Sequence, residues 1–290
     1  MSAQLDVAVL GCGYMGSALA RTFAGGGANV TVWNRTPERA QALTASGCSA
    51  VATVQEAVRR ARMVVICLST YESVKVVLGD AGTLAGRVVV NVTTGSPDQA
   101  RPMRDRVAEQ GGGYLDAVIV GYPEQVGRED FLLLVSGHEP EWETARPALA
   151  LLGGISRHVS ESPEGANVLE AATVGAFHMT ILAAFAEAAR YAKSQGISPK
   201  EFLPLAVRVA SVFEFQQEEI VQRLADEDFT TDQATLATYE KAARTFQHAL
   251  SSSGTRAPLF DAAVAEFGRG VAQGRGEDAV WTLAADRDGA

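Results

Sequence analysis

The sequence is poor in cysteine, histidine and positive charge, and each shortage removes a class of function. Its three cysteines, Cys12, Cys48 and Cys67, are odd in number, far apart and without a CxxC pair. That excludes a disulfide framework and points to a reduced, cytoplasmic compartment. Four histidines, at 138, 158, 178 and 248, show no metal-ligand spacing, so no structural metal is expected. Lys and Arg number 25 against 34 Asp and Glu, a net charge of −9, which argues against nucleic acid or an anionic membrane as partner. The opening MSAQLDVAVLG lacks a basic region and a cleavage site and does not read as a signal peptide. The longest uncharged stretch of interest, 171–186, contains His178 and falls short of the about 20 apolar residues a membrane span needs. No internal repeat or low-complexity tract is present.

What remains is an ordinary globular mix, 47% hydrophobic and 20% charged, and 290 residues suffice for two domains or one large one. The chain is organised around residues 165–192, GANVLEAATVGAFHMTILAAFAEAARYA, rich in Ala, Leu and Met and without proline. Glu170 and Glu187 are its only charges before Arg190, and apolar residues cover nearly its whole circumference. This predicts a long helix buried on most sides. Ser162 and Pro163 mark its start and Gln195-Gly196 its stop. Before it the chain alternates strands and helices; after it only helices are expected. The expected architecture is α/β: an N-terminal Rossmann domain over 1–162, an interdomain helix over 163–193, and an all-α domain over 194–290.

The apolar run Asp6 to Leu10 reads as a buried strand, and Gly11-Cys12-Gly13-Tyr14-Met15-Gly16 follows at once, with a helix expected over 17–24. GxGxxG has meaning in this strand–turn–helix setting. The first glycine permits the tight turn, the second lets backbone approach a pyrophosphate, and the third packs helix on strand. The helix N-terminus then offers unpaired N–H groups to phosphate. A second strand, Asn29 to Trp33, ends in Asn34-Arg35-Thr36, with Arg39 one turn on. A carboxylate about 20 residues beyond the glycines would take the ribose 2′-OH of NAD. Asn34 stands there instead, and the guanidinium groups of Arg35 and Arg39 suit the 2′-phosphate of NADPH. Thr36 and Pro37 also read as a helix start.

Further strands are expected at 63–67, ending in the loop Leu68-Ser69, and at 87–91, ending in Val92-Thr93-Thr94-Gly95. Ligands of open α/β sheets lie beyond the strand C-termini, so Cys67, Leu68, Ser69, Asn91 and Thr93 are expected at the cofactor and Thr94 at the substrate. The run 113–116 leads into 117–123, a late strand is expected at 131–136, and 153–159 closes the sheet. Helices are expected at 199–224, with Phe202, Leu205, Val209, Val212 and Phe213 on the inner side, then at 231–250, 258–272 and 277–285, before a frayed tail at 286–290.

GCGYMG, NRTPERA, NVTTGSP and GYLDAVIV, with the C-terminal DQATLATYEKAARTF and APLFDAAVAEFGRGVAQGRGEDAVWTL, resemble the 6-phosphogluconate/β-hydroxyacid dehydrogenase superfamily, and within it the imine reductases and reductive aminases. The resemblance covers nearly the whole chain. It implies NADPH, a small-molecule imine substrate, and a homodimer of interlocked helical domains in which the partner chain completes each cleft.

One departure stands out. β-Hydroxyacid dehydrogenases carry Lys six residues after the glycine that opens the long helix and Asn four further on, and imine reductases usually put Asp, Tyr or Asn at the first. Counting from Gly165, this chain has Ala171 and Gly175. Neither can move a proton, and a one-residue shift to Glu170 turns the carboxylate about 100° away on an α-helix. His178 shares a helix face with Ala171 by spacing, and Tyr239 falls near a partner-chain active-site position of the family. These two are the candidate catalytic residues, each balanced against a packing role. Ala171, Gly175, Met179 and Phe213 are the expected pocket wall, with Phe177 and Phe215 core or wall. The missing polar groups at 171 and 175 point to a bulky cyclic or aromatic imine, such as an intermediate of secondary metabolism. An imine reductase is the first reading. A β-hydroxyacid dehydrogenase lacks its base at 171, and a catalytically silent NADP-binding protein stays open.

Overall fold

In the computed structural model, residues 4–285 are described, without the side chains of Phe215 and Gln216; the tail at 286–290 and the role expected for Phe215 lie outside them. The chain packs as two compact units, one up to Ala176 and one from Phe177.

The first unit is an eight-stranded sheet, in the order β3-β2-β1-β4-β5-β6-β7-β8. Its strands are β1 (Asp6–Leu10), β2 (Asn29–Trp33), β3 (Ser49–Ala50), β4 (Met63–Ile66), β5 (Val88–Asn91), β6 (Gly113–Val120), β7 (Leu132–Gly137) and β8 (Ile155–Ser160). All neighbours are parallel except β6 and β7. Parallel strands covered on both faces read as unbroken apolar runs, and β4 and β5 are buried throughout. Alternation along β1 divides the core: Val7 and Val9 pack with Leu19 and Phe23 on one face, Ala8 and Leu10 with Val58 and Leu78 on the other. Strand order reverses at β1 and β4, whose C-terminal residues Leu10 and Ile66 are paired. A crevice opens at such a switch point.

The helices of this unit are α1 (Tyr14–Gly25), α2 (Pro37–Gln41), α3 (Val54–Arg59), α4 (Tyr71–Gly79), α5 (Pro97–Glu109), α6 (Glu139–Leu149) and α7 (Gly165–Glu170). Helix α1 starts at Tyr14, not residue 17, so the last three residues of the glycine motif are already helical. Thr70 caps α4 by accepting the Ser73 N–H at 3.2 Å. Ser96 and Gln99 form a capping box on α5.

The helix that opens as α7 continues to Ser194, and its middle, Ala171–Met179, is a π-helix. A π-helix bonds i to i+5 and turns roughly 80° per residue instead of about 100°. Residues seven apart then fall on nearly opposite sides, which removes the face that spacing gave Ala171 and His178.

The second unit holds α8 (Thr180–Ser194), α9 (Pro199–Ala225), α10 (Leu236–Ser252) and α11 (Pro258–Gly270). Helix α10 begins at Leu236 and not at residue 231, because Thr235 caps it and the Leu236 N–H is taken by the Asp278 carbonyl at 2.7 Å. Of residues 277–285 only Val280–Ala284 is helical, a 3₁₀ turn. Burial departs from expectation most in this unit. Ile181, Leu182 and Phe185 on α8, and Leu205, Val209, Val212 and Phe213 on α9, are exposed in the single chain, Leu205 at 67% and Val209 at 71%. The long helix is therefore apolar all round without being buried by its own chain.

By length and composition this helix could cross a membrane; it runs 30 residues with a mean hydropathy of 1.6 in its most apolar stretch. Glu187 speaks for a protein core. Its carboxylate is buried and accepts the N–H groups of Leu259 at 3.1 Å and Phe260 at 3.3 Å. Those are first-turn donors of α11, where a negative charge also meets the positive end of the helix dipole.

Candidate active site

The site is built where β1, β2 and β4 end. Gly11 turns the chain at φ +106°, and a Cβ there would meet the Cys67 carbonyl oxygen at 2.1 Å. At Gly16 a Cβ would meet the Gly11 carbonyl oxygen at 1.9 Å, whereas beyond Gly13 lies open space. Backbone is thus pressed together at the first and third glycines and left free at the second, which is the cradle a pyrophosphate needs. The cleft beyond has a volume of 620 Å³ and is lined by Gly11, Gly13, Tyr14, Met15 and Gly16, by Asn34, Arg35, Thr36 and Arg39, and by Cys67, Leu68 and Ser69.

Asn34 acts through its amide. Its Oδ1 accepts the Cys12 N–H at 2.9 Å, and its Nδ2 donates to the Thr36 carbonyl at 2.9 Å. An aspartate could accept the first bond but could not donate the second. The side chain therefore ties the glycine turn to the loop that presents Arg35 and Thr36. Neither the Arg35 nor the Arg39 guanidinium is in an ion pair with another described residue, and both are exposed at the cleft.

At Cys67–Ser69 the cleft passes into a second cavity of 270 Å³, which shares Met15, Cys67, Leu68 and Ser69 with it. Thr94, the β6 residues Ala117, Val118 and Ile119, and Glu170 also line it. Only two lining side chains among the described residues can ionise, Cys67 and Glu170. Burial pushes the Cys67 thiol up to about 11, so it holds its proton at neutral pH. Burial also raises the Glu170 carboxyl, against a hydrogen bond from Thr94 that lowers it. Thr94 Oγ1 donates to Glu170 Oε1 at 3.3 Å.

Asn91 and Thr93 do not line either space. Both are buried beneath them. Thr93 Oγ1 accepts the Leu68 N–H at 3.1 Å, and Asn91 Oδ1 accepts the Thr93 N–H at 3.2 Å, so the pair fixes the shelf that carries Leu68. Below them lies a polar knot that the sequence reading missed. Tyr71 and Tyr114 both donate their hydroxyls to Asp116 Oδ2, the latter at 2.6 Å. Asn91 Nδ2 donates to the Tyr114 hydroxyl at 3.1 Å, and Asn167 Nδ2 to the Tyr71 hydroxyl at 3.0 Å. Burial raises Asp116 to about 7, with the two tyrosine hydrogen bonds opposing it. The available signal was a lone carboxylate in the apolar strand GYLDAVIV, with Tyr114 two residues before it on the same face.

Ala171 is exposed and Gly175 half-buried, and neither lines the 270 Å³ cavity. The remaining candidates lie in the second unit. Phe213 packs on Phe177 with ring centroids 5.7 Å apart, and Tyr239 on Phe267 at 6.3 Å. His178 and Met179 are exposed on the long helix.

Residues 6–161 match the NAD binding domain of 6-phosphogluconate dehydrogenase, and residues 163–286 match the C-terminal domain of NADPH-dependent reductive aminase-like proteins. This chain belongs to the 6-phosphogluconate dehydrogenase-like superfamily, in its imine reductase and reductive aminase branch. Among relatives of this branch, the NADPH-dependent reductive aminase of Aspergillus oryzae is 29% identical over 79% of each chain. An imine reductase from a Pseudomonas species superposes with a TM-score of 0.91 at 28% identity, covering 97% of this chain and 98% of that one. An imine reductase from Aspergillus terreus, solved in complex with NADPH4 and dibenz[c,e]azepine, gives 0.89 at 25% identity over the same shares.

Two predictions come from this geometry. Arg35→Ala should weaken NADPH by about 1.5–3 kcal/mol through loss of a charge-assisted bond to the 2′-phosphate, while NADH affinity stays within error; equal loss of both, in fluorescence titrations, would refute the assignment. Asp116, raised to about 7 in the fold, titrates near 3.9 when unfolded. Between these values the native state binds more protons, so this group's contribution to stability falls as pH rises from about 4 to 7 and levels off above. Urea unfolding should then show Asp116→Asn gaining on the natural protein by about 2–4 kcal/mol between pH 4 and pH 8. A difference that does not change with pH would contradict the buried, proton-holding Asp116.

Proposed function

We propose that this protein is an NADPH-dependent imine reductase, acting on the C=N bond of a bulky cyclic or aromatic imine. The observation that carries this reading is the cavity at the end of the dinucleotide cleft, walled mainly by Ala117, Val118, Ile119, Val92 and Met15, with Glu170 as its one carboxyl and neither Lys nor His among its described lining residues. Apolar walls suit a bulky cyclic or aromatic group, whereas the carboxylate of a hydroxy acid would meet no cationic side chain there. An imine nitrogen is basic and can enter as an iminium, so the site has mainly to bind and orient it.

The residues of the first unit fit the dinucleotide. Gly11, Gly13 and Gly16 admit the pyrophosphate against the N-terminus of α1. Arg35 and Arg39 would pair with the 2′-phosphate, and Tyr14 and Thr36 line the same cleft. Leu68, held by Thr93 and Asn91, would form with Ser69 the shelf for the nicotinamide, and Thr94 would face the substrate. NADPH, when bound, supplies the hydride. The net negative charge mildly favours a cationic substrate.

The assignment extends to a homodimer. The apolar surface of α8 and α9 is too continuous to face water, and a second copy related by two-fold symmetry would cover it. The domain division at 162/163 and 193/194 belongs to this reading, with 194–290 as the dimerisation domain. His178 and Tyr239 then have supporting roles in binding, and the three unpaired cysteines suit the cytoplasm.

Turnover of NADPH with a panel of cyclic imines and 3-hydroxy acids tests the activity: imine-dependent oxidation of NADPH is expected, and hydroxy-acid turnover with inert imines would overturn the reading. Light scattering at micromolar concentration should give twice the chain mass, and a monodisperse monomer would refute the dimer.

A further inference from the structure

We infer that Glu170 is the residue that holds the proton for the substrate nitrogen, taking the part that Ala171 cannot. The inference rests on the imine-reduction reading and names the group that serves imines arriving unprotonated.

The phase of α7 decides where its side chains look. Asn167 and Glu170 are three residues apart, so they share a face of the helix. Asn167 fixes where that face looks, since its Nδ2 bonds the Tyr71 hydroxyl at 3.0 Å and the Gly95 carbonyl at 3.4 Å. Gly95 is itself pressed on Tyr71; a Cβ at this position would meet the ring at 2.2 Å. The face therefore looks onto the 93–95 loop, and Glu170 reaches Thr94 there. Ala171 turns outward to an exposed position.

The setting of the carboxyl suits proton transfer. It lines the 270 Å³ cavity together with Cys67, Leu68 and Ser69. The other ionisable lining group, the Cys67 thiol, holds its proton too tightly to serve. Asp116 is the ionisable neighbour beneath, and the two carboxyls repel when both are charged, which favours a proton on one of them.

In the step so assigned, the imine nitrogen lone pair takes the proton of the Glu170 carboxyl, and the O–H bond breaks to leave a carboxylate. The C=N π electrons pass to nitrogen as the carbon accepts the hydride supplied by NADPH, so the imine becomes a secondary amine. The Thr94 hydroxyl hydrogen-bonds the carboxylate, and water returns its proton.

The test compares the natural protein with Glu170→Gln and Glu170→Asp on two substrates at pH 7. One is a weakly basic cyclic aromatic imine that is neutral in solution at this pH; the other is its N-methyl iminium salt, which needs no proton. Glu170→Gln should lose at least about 100-fold in kcat/KM on the imine and less than about threefold on the iminium. Glu170→Asp should recover at least tenfold of the loss. NADPH affinity, read by fluorescence titration without substrate, should be unchanged in both variants. An unchanged rate on the imine, or equal losses on the two substrates, overturns the inference, as does loss of NADPH binding in both variants. If the natural protein binds NADPH but reduces neither compound, the imine-reduction reading falls first and this inference with it.

Discussion

The structure of the first unit depends on one buried carboxyl. Asp116 lies on a central strand with no exposed surface, where an isolated charge would be far too costly. Two tyrosine hydroxyls meet it from β6 itself and from the start of α4, and their own partners are the amides of Asn91 and Asn167. The knot thereby joins β5, β6, α4 and α7 through side chains alone. Its cost is partly left standing, because the buried Asn167 Oδ1 has no hydrogen-bond partner among the described residues. What it holds is the 93–95 loop and the first turns of the long helix. Thr94 and Glu170 are set by that frame, and through Thr93 so is the Leu68 shelf.

The same frame explains how a family position can fall to a small residue without emptying the site. Side chains on α7 are directed by Asn167, which is locked on Tyr71 and Gly95, and not by the count from Gly165. The π-helix from Ala171 onward then changes the angular step of the same helix. A residue count along it therefore gives the wrong face beyond Glu170.

Much of the fold was legible because its signals are local. The apolar runs of β1, β4 and β5, the glycine turn and the Asn34–Arg35–Thr36 loop each state their role within a few residues. The long helix was legible as a helix, but not its π segment, since a widened turn leaves no mark in an apolar Ala-rich stretch. Its exposure escaped notice for another reason: hydrophobicity says that a surface is to be covered, not which chain covers it. Glu170 was placed a third of a turn from the site by ideal helix geometry. The Asp116 knot joins residues up to 96 apart in sequence, and nothing in spacing brings Tyr71 to Asn167.

A crystal structure of the protein with NADPH and a cyclic secondary amine, the product of the proposed reaction, tests the account most directly. The account predicts the amine in the 270 Å³ cavity, its nitrogen about 3 Å from a Glu170 carboxylate oxygen, with Asp116 still beneath the two tyrosine hydroxyls. An amine nitrogen turned away from Glu170, with the carboxylate more than about 5 Å distant, would contradict it.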